Sequence, residues 1–260
     1  MPWPDFTELS FGYCFLREFE NRYVSGGAFP KAPDFISQYD EATEGYDVEL
    51  AIDGATPVFL QFKRSFVLTT RNAKEIQDGH YVDPKIYRMN LHKSGAYRQH
   101  KALQKLESAG SDVYYVTSQI HTTTEFTSAY TAGHIVSGGT AVFSPSEIVL
   151  PDFTRDHHVS FRTSDNFGYV YSSEARQFER RFRETDKWLS VMLAQPRTRQ
   201  ENRKHLKNVV EQLRSDLGLR SPLRKILDGK DDPVLQASIL AYFLLDAHLT
   251  FAKAAPDKSI

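Results

Sequence analysis

The run Val58-Phe59-Leu60-Gln61-Phe62-Lys63 carries two polar residues where an apolar strand would not place them. It alternates as a strand, so Phe59, Gln61 and Lys63 share one face while Leu60 and Phe62 take the other. A buried strand does not ordinarily set Gln and Lys side by side among phenylalanines, and local conflicts of this kind often mark functional sites. Asp47 lies in a second alternating run, Tyr46-Asp47-Val48-Glu49-Leu50-Ala51-Ile52, with thirteen residues between it and Gln61. The Asp53-Gly54 pair after that run is a strong turn signal. Residues 46–63 therefore read as a β-hairpin in which Asp47 faces Gln61 and Lys63. Charge is distributed to match: Met1 to Lys63 holds 11 acidic and 4 basic residues, whereas Arg71 to Lys105 holds 8 basic and 3 acidic ones. An acidic patch beside a basic one suits a cation site next to a polyanion track. The basic residues also suit the solvated face of a loop and a helix.

The flanking elements must hold these residues in place. Thr7 to Tyr23 reads as a helix, N-capped by Thr7, with Phe11, Phe15 and Phe19 on one stripe. Residues 64–95 show no clear period and read as an excursion from the core. Ala96 to Ala109 is helical, with Ala102, Leu103 and Leu106 on one face and Gly110 as its stop. Val113 to Thr117 is a buried strand. A short helix over Thr124 to Ala132 and a strand from Thr140 to about Pro145 follow. From about Ser172 the chain reads as helical, divided by Pro196, Pro222 and Pro233. The class is mixed α/β, with a soft boundary that separates residues 1–165 from a helical region, 166–260.

The Gln-x-Lys of the second strand, Asp47 before it and this element order resemble the PD-(D/E)xK nuclease superfamily. The nearest likeness is its Mrr-like branch, in which Gln replaces the middle acid. The resemblance covers roughly residues 7 to 120 and implies an αβββαβ restriction-endonuclease-like core and Mg²⁺- or Mn²⁺-dependent hydrolysis of DNA. Asp47 would be the anchoring ligand, Gln61 would offer its carbonyl oxygen, and Lys63 would position water or stabilise charge on the phosphorane. The superfamily's first helix supplies a Glu. At 100° per residue Glu8 falls in the middle of the phenylalanine stripe and Glu18 on its edge, so Glu8 is the first candidate and Glu18 the second. Gln99 shares the stripe of Leu103 and Leu106 and corresponds to a Gln that several members point at the site. The literal Pro33-Asp34 stands 26 residues from Gln61, long for the usual hairpin, while Glu44 and Glu49 are further carboxylates near Asp47.

The bulk numbers set limits. The 260 residues are 40% hydrophobic and 25% charged with a net charge of −1, as expected of a soluble globular chain. The only cysteine, Cys14, excludes an intrachain disulfide and fits a reducing, cytoplasmic setting. No apolar run reaches the ~18 residues of a membrane span. There is no GxxxxGK[ST] motif, so an ATPase or helicase would have to be a separate partner. His157-His158 beside Asp152 and Asp156 has metal-ligand composition, but adjacent strand residues point to opposite faces. RQFERRFR at 176–183 reads as a basic helix with interleaved Glu. The leading expectation is a DNA endonuclease acting as an effector in bacterial anti-phage defence. Residues 64–105 would then form part of the DNA track, and the C-terminal helices would serve homo-oligomerisation or docking of a sensor. The rival is a nuclease-fold interaction subunit without activity.

Overall fold

A computed structural model describes residues 4–23, 56–91, 96–152, 155–172, 174–194 and 197–217, and most of 223–252. Asp47, Glu44, Glu49 and the Pro33-Asp34 pair lie outside the described residues. The elements are α1 (Glu8–Tyr23), β1 (Thr56–Lys63), β2 (Ser65–Leu68), α2 (Lys74–Gln77), β3 (Ile86–Leu91), α3 (Ala96–Ser108), β4 (Asp112–Ser118), α4 (Thr123–Ala132), α5 (Ile135–Gly138), β5 (Thr140–Phe143), β6 (His157–Phe161), β7 (Phe167–Tyr171), β8 (Ala175–Glu179), α6 (Thr185–Leu193), α7 (Arg199–Leu217), α8 (Pro233–Leu245) and β9 (His248–Ala252). They form a mixed α/β fold with two sheets, ordered β5-β4-β1-β9 and β2-β3-β6-β7-β8.

Strand β1 is central to the first sheet. It runs parallel to β4, from Val58 opposite Asp112 to Lys63 opposite Thr117. On its other edge it runs antiparallel to β9, from Thr56 opposite Ala252 to Leu60 opposite His248. Its alternation sorts side chains between two cores. Val58, Leu60 and Phe62 meet Phe11, Phe15 and Phe19 of α1 and Trp188 of α6, with the Phe62 ring edge-on to Phe11 and Phe15. Gly12 allows this close approach, since a Cβ there would come within 3.1 Å of the Phe62 ring. On the opposite face Phe59, Val113 and Tyr115 pack against α3, α7, α8 and the inner face of the second sheet. All strand pairs of that sheet are antiparallel.

Several expectations are corrected. The first strand of the expected hairpin, residues 46–52, lies outside the described residues; among those described, β1 has β4 on one edge and, over Thr56–Leu60, β9 on the other. The excursion at 64–95 contributes β2 and β3; the alternation of β2 is masked because Ser65-Phe66-Val67-Leu68 is buried on both faces. The region after Ser172 is not wholly helical. Its RQFERRFR run opens as β8, with Phe178, Arg180 and Phe182 at the period of two that a helical reading overlooks. Arg180 is buried, donates to the carbonyls of Arg162 and Asp165 at 2.9 and 3.1 Å, and lies over the Phe143 and Phe161 rings. Burial pushes its guanidinium down to about 10. The expected 165/166 boundary falls between β6 and β7, which pair with each other, and the apolar faces of α7 and α8 are taken up in the same core as Phe59. Among the described residues no helix is long and apolar enough to cross a membrane.

Helix α2 is pinned to the second sheet by charge. Glu75 is fully buried; Arg88 Nε donates to its Oε1 at 2.9 Å and Ser160 Oγ at 2.8 Å, and His158 Nε2 lies 3.3 Å away. Burial works to raise the Glu75 carboxyl, but the imidazole and the guanidinium outweigh it and hold the group at about 2 against an ordinary 4.5. A carboxyl held low in the fold adds stability above its unfolded value and loses it as pH falls. This group contributes on the order of 3 kcal/mol near neutrality, lost as pH drops from about 4.5 towards about 2. Urea midpoints measured across that window should fall steeply for the natural chain and more gently for Glu75→Gln; parallel curves would show that other groups set the acid limb.

Candidate active site

The site is built where β1 and β4 end together. Gln61 stands opposite Tyr115 and Lys63 opposite Thr117, so these four side chains share the face of Phe59 and Val113. Gln61 is buried to 1% exposure, and Lys63 is half-buried at the strand's end. Parallel strands joined by a crossover helix, here α3, commonly carry sites at their carboxyl ends.

The strand end is fixed from three directions. After Lys63 the chain leaves the first sheet and enters the second, with Arg64 alone between them. The Arg64 N–H donates to Glu8 Oε2 at 3.1 Å. Ser65 Oγ donates to the Ser118 carbonyl, and Tyr87 O–H donates to the Gln119 carbonyl at 2.6 Å. Behind Gln61, His100 bridges Tyr115 O–H and the Ile148 carbonyl, each at 2.9 Å. A carbonyl can only accept, so Nε2 carries the proton towards Ile148, and Nδ1 accepts from Tyr115 when the ring is neutral. Burial drives the His100 imidazole down to about 4, so the ring is neutral near pH 7, and burial also pushes the Tyr115 phenol up.

Glu8, Gln61 and Lys63 are thus brought to one strand end, but not on one face. Helix α1 packs on the Phe62 side, and the Glu8 carboxylate reaches the backbone one residue past Lys63 rather than lying beside Gln61. The second helix candidate is elsewhere. Glu18 is ten residues further along α1, roughly 15 Å. Its Oε2 accepts from the Ile135 N–H at 2.7 Å, and Arg22 lies 3.6 Å from its Oε1. That caps α5 and leaves Glu18 structural. Gln99 is half-buried on α3, on the side of Leu103 and Leu106. Asp47, the expected anchor, lies outside the described residues.

The basic stretch contributes less than its composition suggests. Arg88 is turned inward on Glu75 and His100 is inside the core, so neither faces solvent as a phosphate contact. Arg71 lies 3.7 Å from Asp83. Lys74, Lys85, Lys101 and Lys105 are exposed. His157 and His158 do point to opposite faces, one to the Asp152 carbonyl and one to Glu75. Among the described residues no group of three or more His, Cys, Asp or Glu side chains is placed to hold a metal ion. Cys14 is half-buried against the α1 core, and burial raises its thiol.

Sequence reasoning overlooked Tyr115, Thr117, Ser65 and His100. The signal available was the alternation of Val113, Tyr115 and Thr117, which puts a phenol and a hydroxyl on one face at the end of a parallel strand. Comparisons with protein-family models, curated proteins and solved structures find no match to this chain.

The Glu8 contact separates two roles for one carboxylate. Glu8→Ala leaves the Arg64 N–H without its acceptor and should lower stability by about 1–2 kcal/mol. Glu8→Gln keeps a carbonyl acceptor without charge and should lose less than half of that. Equal losses in chemical denaturation would mean that the charge, not the hydrogen bond, holds the strand end.

Proposed function

We propose that the chain is a metal-dependent DNA endonuclease of the PD-(D/E)xK type, a nuclease effector that hydrolyses phosphodiester bonds at Asp47, Gln61, Lys63 and Glu8. The observation that carries this reading is the buried Gln61 beside Lys63 at the carboxyl end of a central strand. The Glu8 carboxylate, hydrogen-bonded one residue further on, adds to it. The parallel pairing of β1 with β4 supports it, with α3 leading into β4 after the β2-α2-β3 segment that visits the second sheet.

Gln61 offers an oxygen donor of the kind Mg²⁺ and Mn²⁺ accept, and this reading requires Asp47 beside it. Glu8 packs on the other face of the sheet, with one oxygen on the Arg64 N–H, and would have to join them around the strand end. A bound divalent cation polarises phosphate and acidifies water. Gln61 contributes no charge, so in this reading metal affinity would rest first on Asp47. Lys63 supplies a positive group for the charge that develops on phosphorus oxygens. The exposed Lys74, Lys85, Lys101 and Lys105 offer sequence-independent contacts to the phosphate backbone. Their action is salt-dependent. The inner faces of α7 and α8 are occupied, so a second copy or a sensor or ATPase partner would dock on their outer faces.

One observation favours the rival reading, an inactive interaction subunit. At 1% exposure Gln61 is closed to solvent, and Glu8 has one oxygen engaged by the backbone. Incubation of supercoiled and linear DNA with the purified chain and Mg²⁺ or Mn²⁺ decides between them. Cutting should be abolished by EDTA and fall by about 100-fold or more in Lys63→Ala and Asp47→Ala. Metal-dependent cutting that survives both substitutions would falsify the site, and absence of cutting by the natural chain would favour the interaction subunit.

A further inference from the structure

We infer that Thr117 is a positioning residue for Lys63. Its side chain is fully buried, and its Oγ1 has no hydrogen-bond partner among the described residues. A buried hydroxyl without a partner is costly, and valine has the same shape without that cost. The Thr117 hydroxyl is therefore available to accept a bond that the resting arrangement does not supply.

The neighbours on that face identify it. On one side Thr117 pairs with Ala141 of β5, which has no polar side chain. Two residues back on the same strand, the Tyr115 phenol is engaged with His100. Directly opposite on β1 stands Lys63, with Gln61 on the diagonal. A lysine ammonium has three donors and no acceptor, and a threonine oxygen can accept one of them. Lys63 ends β1, whereas Thr117 sits inside β4 and is held by pairing on both edges. The hydroxyl, held within β4, is thus placed to accept from the Lys63 ammonium when Lys63 turns towards a scissile phosphate. The strand end stays in register because Ser65 Oγ holds the neighbouring Ser118 carbonyl.

This inference rests on the endonuclease reading of the same site, and its test separates the two. Thr117→Val, Thr117→Ser and Lys63→Ala are compared in the full chain for melting temperature, plasmid cleavage with Mg²⁺ or Mn²⁺, and KM for DNA. Thr117→Val should melt no lower than the natural chain, because no bond is lost in the resting fold. Its kcat should fall by about 10- to 100-fold with KM unchanged, as expected when a catalytic group is misplaced, and Thr117→Ser should restore most of it. Unchanged kcat in Thr117→Val, with Lys63→Ala inactive, overturns the role of Thr117 and leaves the endonuclease reading standing. A melting temperature lowered in Thr117→Val and restored in Thr117→Ser also overturns it, by revealing a structural partner. A folded natural chain that cuts no DNA overturns both.

Discussion

The passage of the chain from one sheet to the other through a single residue is the constraint on which the rest of the structure depends. Lys63 closes β1 and Ser65 opens β2, so Arg64 has no loop in which to turn. Its N–H belongs to neither ladder, and a backbone donor left without an acceptor near a packed interior is costly. Glu8 meets that need from the first turn of α1. The helix on one side of the first sheet thereby fixes the point at which the second sheet departs on the other side. Ser65 and Tyr87 then tie the second sheet back to the carbonyls of Ser118 and Gln119. Lys63 sits at the junction of these ties, which gives a long, flexible side chain an immobile root.

The same junction accounts for the division of labour among polar groups. Those in the body of the fold are paired or neutral: Glu75 with Arg88, Arg180 with two carbonyls and two rings, and His100 between a phenol and a carbonyl. They act as connectors between layers and cannot reach a substrate. Gln61, Lys63, Tyr115 and Thr117 gather instead at the carboxyl ends of β1 and β4. The basic stretch therefore divides, with Arg88 and His100 turned inward and Lys74, Lys85, Lys101 and Lys105 exposed.

What was legible in the sequence followed local periodicity. The phenylalanine stripe gave α1 and its Thr7 cap, with Ser10 N–H donating to Thr7 Oγ1 at 3.0 Å. The apolar run gave β4, and the face shared by Phe59, Gln61 and Lys63 followed from alternation alone. What was not legible depended on long-range pairing. No local signal states that His248–Ala252 is the antiparallel neighbour of β1, nor that a polar stretch after Lys63 pairs through Ile86–Leu91 with a strand at 157–161. The wheel placed Glu8 correctly on the apolar stripe, but it could not show that the helix lies across the sheet from Gln61. The helical reading of RQFERRFR failed because charged residues mask a two-residue period.

The position of β9 has a consequence for synthesis. The strand bearing Gln61 and Lys63 acquires its second neighbour only when Thr56 meets Ala252, after nearly all of the intervening chain has left the ribosome. Contacts so distant in sequence form late and slowly. Until then the amino-terminal half of β1 presents an unpaired, apolar edge, so during translation this strand depends on its own parallel partner and on α1 for protection. The four-stranded sheet is thus complete only after the chain has been made through β9.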